Sequence, residues 1–390
     1  MTDATRTSFP IIFALWGAGL GAAAQYGKVS VIFDQLPTLY PDAGSAIGFA
    51  VSLVGLVGIV FGAMAGLLVA RIRYRRALLW ALWIGAGVSA LQATGLPLSW
   101  LLVSRVVEGM SHLAIVVAAP TLIAQVAAPR HRGFALTLWG TFFGVAFAVL
   151  AWAGLPLVSA MGVPALFAAH ALYMAAFALL LAAMLEPLPV TTRFAPLSLA
   201  GVVRDNLTIY RSAAIAAPAA GWVFYTFCFV ALLTVLPPFI DPSQRAFVLG
   251  AMPLAGIAVS MTLGVILLRH VSAVTVVVTG FALSAIFSVW LVFDRGDPLL
   301  CLLLAGAMGL VQGASFAAVP QLNGRPAEQA QANGAMAQAG NIGNTLGTPV
   351  MAAMIAAGGY AALMVVTSMA LLLGVAVHAL LSRRRRRAIS

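Results

Sequence analysis

Apolar residues run along this chain in long continuous stretches of twenty or more, broken by short polar segments that carry most of the charge. The hydrophobic pattern does not alternate residue by residue, so strands of an outer-membrane barrel are excluded. An α-helix needs about 20 apolar residues to cross the hydrocarbon. The pattern predicts twelve such spans, at about 9–33, 45–70, 76–94, 98–127, 132–157, 163–185, 212–239, 246–268, 272–293, 298–320, 329–357 and 360–382. The longest polar stretch falls between the sixth and seventh. The expected organisation is an N-terminal six-helix bundle (1–185), a linker (186–211) and a C-terminal six-helix bundle with a basic tail (212–390).

Composition narrows the class. Of 390 residues 62% are hydrophobic and 8% charged, far from the roughly one-quarter charged that a soluble domain carries. A soluble enzyme, a nucleic-acid-binding domain and a disordered protein are all excluded. The net charge of +11 reads as a topology signal, because the arginines cluster beside apolar runs. With the N-terminus inside, 17 of the 21 basic residues fall in inside loops and tails, among them Arg71, Arg73, Arg75, Arg76 and the run Arg383 to Arg387. Only Arg245 and Arg295 fall outside, and Lys28 and Arg105 lie within spans. Both termini are expected in the cytoplasm of a bacterial-type inner membrane. The first apolar run lacks a basic region followed by a small-residue cleavage site and reads as a retained helix. Cys228 and Cys301 lie in apolar runs and read as small buried hydrophobes.

The two sets of six echo each other. Gly66-Leu-Leu-Val-Ala-Arg71 ends the second span and Gly264-Val-Ile-Leu-Leu-Arg269 the eighth. Glu108-Gly-Met-Ser111 precedes Pro120 in the fourth, and Gln312-Gly-Ala-Ser315 precedes Pro320 in the tenth. Repeated six-helix units are a transporter architecture.

Three segments resemble the Major Facilitator Superfamily. Gly66-Leu-Leu-Val-Ala-Arg71-Ile-Arg73-Tyr-Arg75-Arg76 is similar to its signature G-x-x-x-D-R-x-G-R-[KR], with Ala70 in the Asp position and Arg73 in the second Gly position. Leu101 to His112 resembles the span 4 motif l-x-x-x-R-x-x-q-G-x-g, with Arg105 matched and Glu108 in the Gln position. Trp139-Gly140-Thr-Phe-Phe-Gly144-Val145 resembles the antiporter motif g-x-x-x-G-P-x-x-G-G, with Val145 in place of the Pro and Ala148-Val149 in place of the last Gly pair. The resemblance implies an all-α membrane protein of twelve transmembrane helices in two pseudo-symmetric six-helix bundles. It also implies gating by Gly66, Arg71 and Arg75, and a link between Arg105 and proton coupling.

A charge within the bilayer is costly and marks function by default, so the candidate residues are few. Arg105, Glu108 and His112 share one face of a helix at i, i+3 and i+7 and are the expected proton-coupling group; a static Arg105–Glu108 pair is the competing reading. Lys28 shares a face with Gln25. It reads either as a cation facing an anionic substrate, as a partner of Glu108, or as an interfacial lysine snorkelling to headgroups. Asp34 is an expected outer-mouth gating residue. Trp222, Tyr225 and Thr226 read as one wall of a substrate cavity. Gln312, Gln338 and Asn341 are further candidate contacts; the amides of the eleventh span, with Gly340, Gly343 and Gly347, read alternatively as helix-packing positions. His170, His270 and His378 stand isolated and read as structural.

No Cys, His and carboxylate cluster has metal-ligand spacing, and no G-x-x-x-x-G-K-[ST] phosphate loop occurs. No cofactor is expected. The function expected is secondary active transport of a small anionic solute by a monomer, proton-coupled and by alternating access. A proton-antiport exporter of drugs or a secreted metabolite, and a non-transporting sensor or membrane enzyme, are the alternatives.

Overall fold

The computed structural model describes residues 7–186 and 209–387. Most of the expected linker, with Arg193 and Arg204, and also Arg6, lie outside the described residues.

The described chain is helical throughout. With no water in the hydrocarbon, every backbone N–H and C=O must be satisfied within its own segment, which a helix achieves. The helices are α1 (Phe9–Ser30), α2 (Ala46–Gly62 and Met64–Ile72, bent by 79° between them), α3 (Tyr74–Gln92), α4 (Leu98–Val126), α5 (Pro129–Gly140 continued by Phe142–Met161) and α6 (Val163–Met184). The second set is α7 (Ala216–Val235), α8 (Pro242–Leu268), α9 (Ala273–Phe293), α10 (Pro298–Leu322) and one helical run, Pro326–Arg387. That last run breaks at Gly358 and Gly359, where Gly359 takes φ +65°. The break divides it into α11 (326–357) and α12 (360–387). Nine described helices are long and apolar enough to cross a membrane, and the bent α2 makes a tenth. The arginine-bearing α3 and the division of the last run bring the count to the expected twelve.

Starts are set by local chemistry. Asp241 caps α8 by accepting from the Ser243 N–H at 2.8 Å, and Asp297 caps α10 from the Leu300 N–H at 2.8 Å. The Ser243 hydroxyl also donates to Asp241, and these bonds hold its carboxyl below the usual carboxylate range.

In keeping with a lipid-facing surface, large apolar side chains such as Trp100, Leu172 and Phe293 point outward. Inside, small residues let backbones approach. A Cβ on Gly340 would lie 2.9 Å from the Trp222 indole nitrogen, and Gly343 and Gly347 press on the α7 backbone. The expected packing role of those three glycines is what the structure has.

The core shows which end is closed. At the end opposite the arginine clusters, one apolar core joins both sets of helices: Val29, Ile32 and Leu150 with Leu233, Leu236 and Val248. At the basic end the core is split. Ile12, Leu78, Ile123 and Leu181 belong to one part, and Ile209, Ile215, Val319 and Met336 to another.

Two seams run from the far end toward the middle. Along α2 and α11, Gly48 meets Pro349, Gly55 meets Thr345, Gly58 meets Asn341 and Gly62 meets Gln338. One turn further, a Cβ on Gly66 or on Gly334 would meet nothing within 4 Å. Along α5 and α8, the Trp152 indole donates to the Ala246 carbonyl at 3.1 Å and Gly144 meets Pro253 and Ile257, but Gly140 and Gly133 meet nothing. Both seams are zipped at the far end and parted at the basic end.

Candidate functional site

The charged candidates meet at one point inside the first six helices. Lys28 of α1 and Arg105 and Glu108 of α4 are each fully buried. Lys28 Nζ lies 2.6 Å from Glu108 Oε1, and Arg105 pairs with the other carboxylate oxygen. Gln92 of α3 donates to that second oxygen at 3.1 Å. Around Lys28, Ser89 Oγ accepts at 2.6 Å and His170 Nδ1 stands at 3.3 Å, while the Phe167 ring centroid is 5.2 Å away. A snorkelling lysine would reach the interface; this one is sealed in protein.

Arg105 does more than pair. Its Nε donates to the Ala50 carbonyl of α2 at 2.7 Å, and its remaining terminal nitrogen donates to the Gln25 carbonyl of α1. One guanidinium thus ties α1, α2 and α4 together, as five donors in a rigid fork allow. Gln25 donates to Ser111 at 2.8 Å, and Ser111 to the Ala81 carbonyl at 2.6 Å.

His112 takes a different direction from the one its helical stripe suggests. Its Nδ1 is 2.9 Å from the Ala22 carbonyl, and its ring packs edge-on to Tyr26, centroids 5.1 Å apart. The imidazole beside the carboxylate group is instead His170, which the sequence reading set aside as isolated. Its Nε2 bonds the Gly21 carbonyl at 2.9 Å and its Nδ1 is 2.7 Å from Ser89 Oγ. With Nε2–H given to the carbonyl, Nδ1 is the acceptor that Ser89 and Lys28 need. His170, Ser89 and Gln92 are the members that sequence reasoning missed. Ser89 and Gln92 do share a helix face at i and i+3, a polar pair in an otherwise apolar run.

From the last six helices an aromatic run on α7 meets α5. Trp222 stacks on Tyr225 at 4.6 Å, Tyr225 on Phe229 at 5.5 Å, and Phe229 meets Phe143 and Phe147 of α5, each at 6.3 Å. Thr226 does not join that wall. Its hydroxyl donates to the Trp222 and Val223 carbonyls and its side chain packs on Gly343 of α11, a correction to the expected cavity contact. Gln312 of α10 is half-buried. Gln338 donates to the Ile59 carbonyl of α2 at 3.2 Å and accepts from Tyr210 at 3.0 Å, and Asn341 sits against Gly58. Both amides therefore form the α2–α11 seam.

At the far end, Asp34 and Arg245 stand 4.0 Å apart across the two sets of helices, and below them Ser30 and Thr234 share a hydrogen bond of 2.6 Å. A cavity of about 430 Å³ opens among Ser30, Asp34, Ser159, Thr234 and Arg245. At the basic end Arg75 donates to the Leu185 and Ala182 carbonyls at 2.7 and 2.9 Å, capping α6 within its own set of helices. Gly66 and Arg71 lie exposed on the last turns of α2. Among the described residues no group of His, Cys, Asp and Glu could hold a metal ion.

Two solved structures of a bacterial homologue of the human lysosomal transporter Spinster are similar to this chain. The inward-facing and unoccupied form has TM-score 0.75 and the inward-facing and occupied form 0.73, each at 15% identity with 96% of both chains covered. At that identity the likeness is one of fold. No curated protein matches the chain. The chain is a multi-pass membrane transporter and not an enzyme. The family model of the Major Facilitator Superfamily matches residues 11–269, two-thirds of the sequence and both sides of the linker, and the protein belongs to that superfamily.

Proposed function

We propose that the protein is a proton-coupled secondary transporter of a small anionic solute, acting as a monomer in a bacterial-type inner membrane with its basic end in the cytoplasm. The 17-to-2 division of basic residues supports that orientation, and the parted basic end then makes this an inward-facing state. One observation carries the charge of the substrate: two fully buried cations, Lys28 and Arg105, share the single carboxylate of Glu108. With both histidines neutral the group keeps one positive charge, which in a low-dielectric wall favours an anion.

Lys28 is the cation that would engage it, since it sits on a flexible stem and its partners are all side chains, whereas Arg105 is tied to the backbone carbonyls of Ala50 and Gln25. An anion at Lys28 competes with Glu108, and the displaced carboxylate then takes a proton. Anion and proton would so travel together, which is symport. Trp222 and Tyr225 would meet the remainder of the solute. A second reading, proton-antiport export, draws on the surviving antiporter glycines Gly140 and Gly144, of which Gly144 sits in the α5–α8 seam against Pro253 and Ile257. Everted vesicles separate the two, because an exporter loads them with substrate under a proton gradient.

The test of the anion is thermal stabilisation of purified wild type, Lys28→Ala and Lys28→Arg by acetate, lactate, succinate and phosphate, with choline and glucose alongside. Anions should stabilise the wild type. Lys28→Ala should weaken binding a hundredfold, about 2.8 kcal/mol, and more than Lys28→Arg does. Stabilisation by choline or glucose alone would sink the proposal.

A further inference from the structure

Most buried hydroxyls among the described residues are paired. Thr226, Thr234, Ser284, Ser288, Thr367 and Ser368 each donate to a carbonyl three or four residues earlier on their own helix. Among the described residues five hydroxyls are buried without a partner: Tyr26, Ser52, Ser315, Thr345 and Thr348. Ser315 stands apart on α10. Tyr26 and Thr345 meet at Gly55, and Ser52 and Thr348 lie one turn away from Gly55 and Thr345 on α2 and α11.

Their placement follows from one glycine. A Cβ on Gly55 would touch Thr345 Oγ1 and lie 2.8 Å from the Tyr26 hydroxyl, with the Asn341 carbonyl at 3.0 Å. Seven residues toward the far end along α2, Gly48 meets Pro349. Ser52 lies between Gly48 and Gly55 on the α2 face turned to α11, and Thr348 adjoins Pro349. Tyr26, Ser52 and Thr348 are fully buried and Thr345 is 7% exposed. Two hydroxyls thus come from the first six helices and two from the last six, across a seam that must part at the far end when the basic end closes.

The neighbouring charge selects the ligand. Arg105 bonds the carbonyls of Gln25 and Ala50, the residue before Tyr26 and the residue two before Ser52. The positive end of the cluster therefore backs directly onto the hydroxyl seam, where a cation is repelled and an oxyanion is attracted. A hydroxyl can donate or accept, so it is the neighbouring charge that turns these four toward an oxyanion. An unpaired buried hydroxyl is costly, which favours a use for these groups in another state of the protein.

We infer that Tyr26, Ser52, Thr345 and Thr348 form a binding subsite for a carboxylate or phosphate group, sealed in the described state and uncovered from the far end when α2 and α11 separate there. This rests on the anionic reading given above and adds the place where the anionic group is first held before it meets Lys28. Gly55 is the residue that lets the Tyr26 and Thr345 hydroxyls approach each other.

The experiment measures affinity of acetate, lactate, succinate and inorganic phosphate for the full-length wild type, Tyr26→Phe, Thr345→Val and Ser52→Ala, with Thr367→Val as the paired-hydroxyl control. The unliganded melting temperature of each is recorded as well. Whether carboxylates or phosphate bind decides the source of the oxyanion. Each seam variant should bind the effective probe about tenfold more weakly, about 1.4 kcal/mol, and Thr367→Val should bind as wild type does. Unliganded seam variants should melt at or above the wild-type temperature, since each loses an unpaired polar atom and keeps its shape. Equal affinities in wild type and seam variants, with binding still lost in Lys28→Ala, would overturn the subsite and leave the anionic reading standing. Failure of every oxyanion to bind the wild type would overturn both. Seam variants that lose affinity only alongside a lowered unliganded melting temperature would also overturn it, because that is the signature of a packing role.

Discussion

Helices α4 and α10 carry the echoed segments Glu108-Gly-Met-Ser111 and Gln312-Gly-Ala-Ser315, and the structure packs them alike. A Cβ on Gly109 of α4 would press on the Val54 carbonyl of α2; a Cβ on Gly313 of α10 would press on Ser260 of α8. Each glycine thus seats its helix against the second helix of its own set. The chemistry beside the glycines differs. Glu108 is held by Lys28, Arg105 and Gln92, and Ser111 donates to Ala81. Gln312 is half-buried and the Ser315 hydroxyl has no partner. A shared backbone solution has been loaded with charge in one copy only. A charge inside the membrane requires partners from several helices, and only the first set supplies them.

The largest effect expected from this comparison is at the two equivalent side chains. Glu108→Gln leaves Lys28 and Arg105 buried without a counter-charge, which costs about 3–5 kcal/mol; Gln312→Leu should change stability by under about 1 kcal/mol. Thermal unfolding of the purified variants measures both. Pairing Glu108→Gln with Lys28→Met should recover much of the loss. In transport, Glu108→Gln should abolish accumulation driven by a proton gradient and leave substrate exchange largely intact. His112→Ala should weaken accumulation less, since its imidazole bonds Ala22 and not the carboxylate. Accumulation that survives in both variants would remove the α4 cluster from proton coupling.

A smaller effect separates the glycines. The Cβ of Gly109→Ala meets the backbone of Val54, with the carbonyl carbon at 3.2 Å, whereas that of Gly313→Ala meets the Ser260 hydroxyl, which can rotate away. Gly109→Ala should therefore cost about 1–3 kcal/mol and Gly313→Ala less than about 1 kcal/mol. Equal losses would mean that the two helices are seated differently from the way their glycines suggest.

Sequence made the helices legible for a simple reason: hydrocarbon demands about 20 apolar residues per crossing, and the pattern has little freedom. Arg105, Glu108 and Lys28 were legible because an isolated charge in such a run stands out. What stayed hidden was direction. Helical spacing put His112 on the stripe of Glu108, but the ring turns to α1, and the imidazole that completes the cluster arrives from α6. Thr226 shares a side with Trp222, yet its short side chain back-bonds to its own helix. Gln338 and Asn341 read as cavity amides or as packing residues, and their neighbour, α2, lies 279 residues away along the chain from Gln338 to Ile59. Period within one helix fixes a face; which helix lies opposite is a tertiary fact.

The smallest effect concerns the two echoed turns that follow α2 and α8. After Gly66 to Arg71 the chain turns through Arg73, which takes φ 78° and ψ 129° and is the one non-glycine residue with positive φ among the described residues. The superfamily signature has Gly at this position, and the backbone explains it: the left-handed region costs an L side chain about 1–2 kcal/mol and a glycine almost nothing. After Gly264 to Arg269 the equivalent turn passes through Val271 with ordinary φ, and Ser272 caps α9 by accepting from the Thr275 N–H at 3.2 Å. Arg73→Gly should raise stability by about 0.5–1 kcal/mol, the relief of strain less the greater freedom of glycine in the unfolded chain. Val271→Gly gains no such relief and should lower stability by a similar amount. Melting temperatures of the two variants, measured side by side in one detergent, should move in opposite directions. A fall in Arg73→Gly would mean that the guanidinium makes contacts at the basic end worth more than the strain of holding it there.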